Sequence, residues 1–425
     1  MKVVDVLCVP VRSGFYRDDQ AAIRAGARHD GFLYDGEPLT PGFDQIREPG
    51  TAVSVMLILQ DGQVALGDCA EVQYSAAGGR APAFCSTDAV ALIRDEVAPL
   101  LRGRAHEDFR GSAELVDGLL IGGERLPAAV RYGVTQALLH AQSLHRGVTM
   151  AEVVRDEYRT GIELLPVPLY AQSGDDRYGS VDKMILKEVD VLPHGLINQV
   201  EGKLGADGGL LRDYVRWLSQ RIQNLRRSSA YAPRLHIDAY GTIGMVFEGD
   251  LDAVADYLAE LSVCAAPFPL RIEHPIDAGG RDAQVDVYVR LRNLLRERAV
   301  PVDIVVDEWC NTLEDIEVFV AAGAADVIHV KTPDLGGVNN TIEALLHVKR
   351  NGLAAYCGGT CNETDVSARV SAHVAMACGA DQVLAKPGMG VDEGLMIVGN
   401  EMTRVAALAA HRSSATDPIR HGGLT

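Results

Sequence analysis

The chain lacks the features that would place it outside the cell or in a membrane. Its eight cysteines (Cys8, Cys69, Cys85, Cys264, Cys310, Cys357, Cys361 and Cys378) are scattered, without a Cys-x-x-Cys pair. That is the usage of reduced thiols in a large intracellular protein, not of a disulfide framework. No uncharged apolar run approaches the roughly 18 residues of a membrane span. The start, Met-Lys-Val-Val-Asp5, meets an acid at once and carries no signal-peptide core. Basic residues are in deficit, 40 against 58 acidic, for a net charge of −18. This argues against nucleic acid and anionic membranes as partners. A cytoplasmic protein acting on a small molecule is expected.

What the chain does have is concentrated between Leu235 and Pro333. Three short apolar runs end on a carboxylate, Leu-His-Ile-Asp238, Leu-Arg-Ile-Glu273 and Asp-Ile-Val-Val-Asp307. A fourth, Val-Ile-His-Val-Lys331, ends on a lysine. Each is too short for a helix and rich in branched residues, so each reads as a buried strand. The intervals leave room for a loop and a helix, the repeat of a parallel sheet with crossover helices. Charged residues at successive strand ends are the pattern of a (β/α)8 TIM-type barrel, whose chemistry sits at that end. An Asp at a strand end can instead cap the following helix. Glu273-His-Pro and Asp307-Glu-Trp do not look like helix starts, however, and favour a metal site. Hard carboxylate oxygens suit Mg²⁺; zinc would favour His or Cys.

At 425 residues the chain exceeds one barrel of ~250 residues, so a second domain is expected. Residues 2–11, 52–60 and 63–67 read as strands, the last two joined at Asp61-Gly62, a hairpin dipeptide. Residues 13–49 read as a long loop of the kind that forms lids. Helices are expected at 87–101, 106–120 and 126–145, so residues 1–160 form an N-terminal α+β capping domain. The barrel spans 161–412. Its strands begin at Val167–Gln172 and Gly195–Val200, the latter with Pro193-His194 at its edge. They end at Ala354–Cys357 and Gln382–Ala385. Apolar residues at 211, 215, 218, 222 and 225 mark a helix. A last helix is expected at 393–410, then a loose tail at 413–425.

With these residues in place, the chain resembles the enolase superfamily and, within it, the methylaspartate ammonia-lyase family. The resemblance rests on Tyr-Ala-Gln172-Ser, Leu-Pro-His194, His-Ile-Asp238-Ala-Tyr-Gly-Thr-Ile-Gly, Ile-Glu273-His-Pro-Ile, Val-Asp307-Glu-Trp-Cys-Asn-Thr, Lys331-Thr-Pro-Asp-Leu-Gly-Gly and Lys-Pro-Gly-Met-Gly-Val-Asp-Glu-Gly394. It implies a Mg²⁺ site of Asp238, Glu273 and Asp307, with K⁺ as a further cofactor and a homodimer as the assembly. It also implies that Lys331 takes the C3 proton of (2S,3S)-3-methylaspartate, that ammonia leaves C2, and that the product is mesaconate. His194 would be the base for the other C3 epimer. Gln172, His329, Thr360 and Cys361 would bind the substrate carboxylates, and Gln73 and Leu384 would lie on its amino side.

This chemistry needs those residue types. Removing a proton next to a carboxylate builds charge on both carboxylate oxygens, which a cation held by three carboxylates stabilises. The base must be neutral, so Lys331 is expected to have a pKa lowered by the nearby cation and by partial desolvation. One position departs from the family: His329 stands where a glutamine is expected. By strand alternation residue 329 shares the inward face with Lys331, as His236 and Arg271 do with Asp238 and Glu273. These polar residues read as a layer beneath the metal. The rivals are another enolase-superfamily lyase, dehydratase or racemase, and a non-catalytic barrel. A Lys-x-Lys on an early strand would favour the first, and loss of any carboxylate the second; neither occurs.

Overall fold

The structure is a computed structural model that describes residues 1–415. Its front half is built on an antiparallel sheet of β1 (Val3–Asp18), β2 (Arg47–Leu59) and β3 (Val64–Cys69), with β2 in the middle. The β2–β3 hairpin turns at Asp61-Gly62 as expected, with Gly62 at φ +86 and Asp61 Oδ1 accepting from the Gln63 amide. Alternate residues Val53, Val55, Leu57 and Leu59 are buried, which gives β2 one face for the core. A long helix, α2 (Ala128–Arg146), covers that sheet. Gly67 on β3 and Gly133 on α2 let the backbones meet; a side chain on either would strike the other element.

The expected lid at 13–49 is mostly ordered secondary structure. Strand β1 runs on to Asp18, and a short helix α1 (Gln20–Arg24) follows, capped by Asp19, whose carboxylate accepts from Ala21 and Ala22. A two-stranded ribbon, Arg28–Asp30 with Leu33–Asp35, precedes β2. The loop expectation fails because Tyr16, Arg17 and Asp18 pair with Pro49, Glu48 and Arg47 across a break in register. Alternating hydrophobicity does not reveal such a pairing.

Eight parallel strands close the barrel: β4 (Leu169–Tyr170), β5 (Val191–His194), β6 (Arg234–Asp238), β7 (Leu270–Glu273), β8 (Val302–Val306), β9 (Val327–Val330), β10 (Ala354–Cys357) and β11 (Gln382–Leu384). Hydrogen bonding runs round in chain order, with β11 pairing β4. One strand is displaced from its expected place. Residues 191–194, not 195–200, form β5, pairing with β4 and β6. Pro193 suggested a strand edge because it offers no amide hydrogen. Its carbonyl nevertheless accepts from Ser173, and the closed barrel holds the segment between two neighbours.

Tyr170, Val191, Val305, Val327, Tyr356 and Leu384 pack together as one apolar cluster of the barrel strands. Helix α3 (Gly209–Leu225) buries Leu211, Val215, Leu218 and Ile222, as its period predicts. The last helix, α4 (Asp392–Ala415), runs past the expected end at 410, since residues 411–415 contain neither Gly nor Pro to stop it. Residues 413–415 are therefore helical, and the rest of the expected tail lies outside the described residues. No helix among the described residues is long and apolar enough to cross a membrane.

Candidate active site

The charged residues expected at strand ends do gather at one end of the barrel. Asp238 and Glu273 are the last residues of β6 and β7, while Asp307 and Lys331 directly follow β8 and β9. His194 closes β5 in the left-handed region at φ +69. In the closed order β5 and β9 are four strands apart, so His194 and Lys331 face each other across the mouth. A narrow cavity lies between them. Its walls include Asp238, His194, His329 and Lys331, together with Gln172, Thr360, Cys361 and Leu384. The front half adds Gln73, Tyr74 and Arg80. Glu273 and Asp307 stand behind this wall, each with a carboxylate oxygen beside His329 Nδ1, at 2.6 and 3.5 Å.

The carboxylates are crowded and dry. Asp307 Oδ2 accepts from Lys331 Nζ at 2.7 Å and its Oδ1 from Arg80 at 3.0 Å. Burial works against its charge, yet Lys331 and Arg80 hold its carboxyl well below the usual range. Asp238 and Glu273 go the other way. Burial pushes Asp238 far up and the neighbouring carboxylates Glu273, Glu308 and Asp307 add to it. Burial also raises Glu273, despite His329 beside it. Such a surplus of buried negative charge calls for a counter-ion. One ligand atom each from Glu273, Asp307 and His329 lies within 4.8 Å of the others, close enough to hold a metal ion. Asp238 is not in that trio; its Oδ2 lies 3.5 Å from His194 Nε2.

His329 needs separate treatment, because both ring nitrogens are engaged. Gly359 N–H points at Nε2 at 3.2 Å, so Nε2 is the acceptor. The hydrogen of the neutral ring therefore sits on Nδ1, which donates to Glu273 Oε1 at 2.6 Å. His236 repeats the device. Gln382 Nε2 donates to its Nδ1 at 2.9 Å, and its Nε2 donates to Glu273 Oε2 at 2.8 Å. Arg271 fixes the Gln382 amide by donating to Oε1 at 2.6 Å. Burial lowers both imidazole pKa values, which favours these neutral forms. Two imidazoles thus hold Glu273, one on each oxygen. Both nitrogens of His329 are engaged in this way, while the ring also forms part of the cavity wall. The expectation of a polar layer beneath the carboxylates holds for His236, and Arg271 acts one bond further back.

Lys331 sits between opposing influences. Burial and Arg80 pull its pKa down, but Asp307, Glu308 and Asp334 outweigh them and leave it raised. The ion pair with Asp307 is the reason. His194 is lowered to about 3 by burial, with His236 and Lys331 nearby, so its ring is neutral. Gln172 Nε2 is buried with no hydrogen-bond partner, an amide donor free for a ligand. Burial pushes the Cys361 thiol up, which suits a pocket wall and not a nucleophile.

Sequence reasoning missed the roles of four residues. Arg80 is buried and bridges Asp307, Glu308 and Asp334; its only sequence signal is the Gly78-Gly79 turn that precedes it. Glu308 follows Asp307 directly and hides behind it. Lys386 and Glu363 form a fully buried pair at 2.5 Å behind the Gly358-Gly359 turn. Gly358 leaves room for the His329 ring, against which any side chain there would collide.

The comparisons agree with this geometry. A family model for the methylaspartate ammonia-lyase N-terminus matches residues 1–159, and one for its C-terminus matches 161–411. Methylaspartate ammonia-lyase of Clostridium tetanomorphum is 56% identical over 97% of this chain and 100% of its own. A solved Mg complex of β-methylaspartase from that organism superposes with TM-score 0.91, covering 97% of this chain and 100% of that one. The Citrobacter amalonaticus enzyme, solved containing (2S,3S)-3-methylaspartic acid, is 51% identical with TM-score 0.93, covering 96% and 100%. Muconate lactonizing enzyme from Pseudomonas fluorescens, 18% identical with TM-score 0.62 over 90% of this chain and 87% of its own, shares the fold. With strand-end carboxylates, the facing lysine and histidine, and matches across both halves, the chain belongs to the methylaspartate ammonia-lyase family of carbon–nitrogen lyases.

Proposed function

We propose that this pocket removes the C3 proton of (2S,3S)-3-methylaspartate and expels ammonia from C2, giving mesaconate reversibly. The observation that carries the reading is the pair Lys331 and His194, placed across a small cavity over a cluster of buried carboxylates. The residues fit Mg²⁺. Asp238, Glu273 and Asp307 offer hard anionic oxygens, and the raised pKa values of Asp238 and Glu273 report negative charge without a counter-ion. His329 supports Glu273 instead of ligating, because its Nδ1 carries the hydrogen. A cation held by these three carboxylates would supply positive charge opposite the developing carboxylate charge and would compete with Lys331 for Asp307, which favours the neutral amine.

Neutral Lys331 then accepts the C3 proton. The C3–H electrons form the C2–C3 double bond, and the C2–N electrons leave with ammonia. Gln172 gives its unpartnered amide to a substrate carboxylate, with Thr360 and the Cys361 backbone beside it. Gln73 and Leu384 face the amino group. His194, neutral by burial, removes the C3 proton when it lies on the other face, as in the (2S,3R) epimer. Residues 1–160 act as a capping domain for the barrel of 161–412, because Gln73 and Arg80 complete the pocket from outside it.

The reading extends to the surroundings of the enzyme. Eight free cysteines and the acidic charge support a cytoplasmic location. K⁺ as a further cation and a homodimer rest on the family resemblance alone. The direct test is incubation with Mg²⁺, K⁺ and 3-methylaspartate, following the absorbance of the conjugated product. Release of ammonia without that chromophore, or no turnover at all, would sink the assignment of substrate.

A further inference from the structure

The least explained part of the pocket is its front wall. Gln73 reaches the cavity with a side-chain amide whose orientation is settled by a partner behind it. Its Nε2 donates to Asp18 Oδ2 at 2.8 Å, and its backbone carbonyl accepts from the Asp18 amide at 2.9 Å. Asp18 in turn is held by Arg47 through two parallel bonds, Nε to Oδ1 at 2.8 Å and Nη2 to Oδ2 at 2.7 Å. All three side chains are at most 5% exposed. An ionised carboxylate only accepts hydrogen bonds, so residue 73 must turn its NH₂ toward Asp18. The Gln73 carbonyl oxygen is thereby committed to the pocket side, where the Cys361 thiol donates to it at 3.3 Å.

Arg47 is fixed in the same manner. Its guanidinium lies 4.6 Å from the Phe32 ring centre and 4.9 Å from that of Tyr34, and it donates to the Phe32 carbonyl at 3.0 Å. Phe15 and Tyr16 lie a little further off. Aromatic faces hold a cation that burial alone would disfavour. The order of dependence runs from the aromatic box through Arg47 and Asp18 to the Gln73 amide.

We propose that Asp18, clamped by Arg47, is a positioning residue that presents Gln73 to the pocket as a hydrogen-bond acceptor and so selects a partner bearing N–H donors. The proposal rests on the reading that Gln73 faces the amino group. An acceptor there attracts an ammonium ion or a primary amine. A flipped amide would instead aim its NH₂ at the same donors and repel them. Amine choice in the addition direction is thus set from two layers outside the pocket, by residues that never touch substrate.

The test uses the full-length enzyme with Mg²⁺ in the direction of amine addition to mesaconate. Asp18→Asn lets residue 18 donate or accept and frees the Gln73 amide to flip. The KM for ammonium should then rise roughly tenfold, the worth of one hydrogen bond to a charged group, while the KM for mesaconate stays within about twofold. In a Gln73→Ala background the same substitution should change neither, because its route is gone. Equal rises in both KM values, or a full effect of Asp18→Asn without Gln73, would show a structural role and overturn the proposal. If Gln73→Ala raises the ammonium KM and Asp18→Asn does not, only the proposal for Asp18 fails. If Gln73→Ala itself leaves the ammonium KM unchanged, the reading of Gln73 fails and takes the proposal with it. Should Asp18→Asn not fold with Arg47 unpaired, the charge-neutral pair Asp18→Asn with Arg47→Gln gives the same comparison.

Discussion

His329 and Glu273 are joined by a 2.6 Å hydrogen bond whose direction is fixed, with the imidazole as donor. Glutamine, the residue expected at 329, can donate an amide hydrogen to the same oxygen. His329→Gln should therefore keep most of kcat/KM and hold Mg²⁺ within a few-fold of the parent. His329→Leu removes the donor and should weaken Mg²⁺ binding by about 10–100-fold, the usual cost of losing a partner behind a metal ligand. Calorimetric titration of the metal-free variants decides; an unchanged affinity in the leucine variant would show that Glu273 does not depend on residue 329.

Lys331 and His194 should separate by stereochemistry. Lys331→Ala is expected to abolish turnover of the (2S,3S) substrate while leaving the circular dichroism spectrum intact. His194→Ala should depress activity on the (2S,3R) epimer far more than on (2S,3S). Assays of both variants on both epimers measure this, and equal losses everywhere would reduce the two residues to binding roles.

Arg80 should matter more for folding than its place in a loop suggests. It is a buried cation with three carboxylate partners. Arg80→Met leaves those charges without it, at a cost of roughly 3–5 kcal/mol. Chemical denaturation should show the loss, and added Mg²⁺ should restore part of it by neutralising Asp307. A variant as stable as the parent, with or without metal, would contradict that charge balance.

Asp277 gives a pH-dependent link between the two halves. Its carboxylate accepts from Arg24 of α1 at 2.9 Å and from Trp309 after β8 at 2.9 Å. Burial opposes its charge, but His274, Arg24 and Trp309 together lower its pKa to about 2. A lowered folded pKa means that its stabilisation is complete above the unfolded value near ~3.9 and is lost as pH falls through about 2. Because the carboxylate is partly open to solvent, its contribution is screened to less than the ~2.5 kcal/mol of the bare shift. The difference in stability between parent and Asp277→Asn should be full at pH 7 and shrink between pH 4 and 2. A gap that stays constant over that range would rule out the carboxylate charge as its source.

The strand ends were legible in the sequence because each combines a short branched run with one charged residue. Leu270–Glu273 fell where it was read. The displaced second strand was not legible, since Pro193 outweighed the closure of the barrel around it. Arg80 and the Asp18–Arg47 pair escaped for a different reason. Their meaning lies in partners far along the chain, Asp307 for Arg80 and the pocket-facing Gln73 for Asp18. No local pattern records such a distance. The ion pair of Lys331 with Asp307 was not legible either, because strand spacing places the two only as fellow members of the site.

Tyr132 on α2 donates a hydrogen bond at 2.6 Å to Glu363, 231 residues later. At the ~5–20 residues per second of ribosomal synthesis, its partner emerges roughly 10–50 s afterwards. The front half is therefore complete as a polypeptide long before it has its lasting neighbours. Until then α2 has the sheet of β1–β3 and neighbouring helices of the front half against it, but not the barrel side of its packing. Chains stalled near residue 350 should leave α2 open to protease, whereas those released after residue 386 should protect it. Order of emergence, and not only final geometry, then decides when the pocket acquires its front wall.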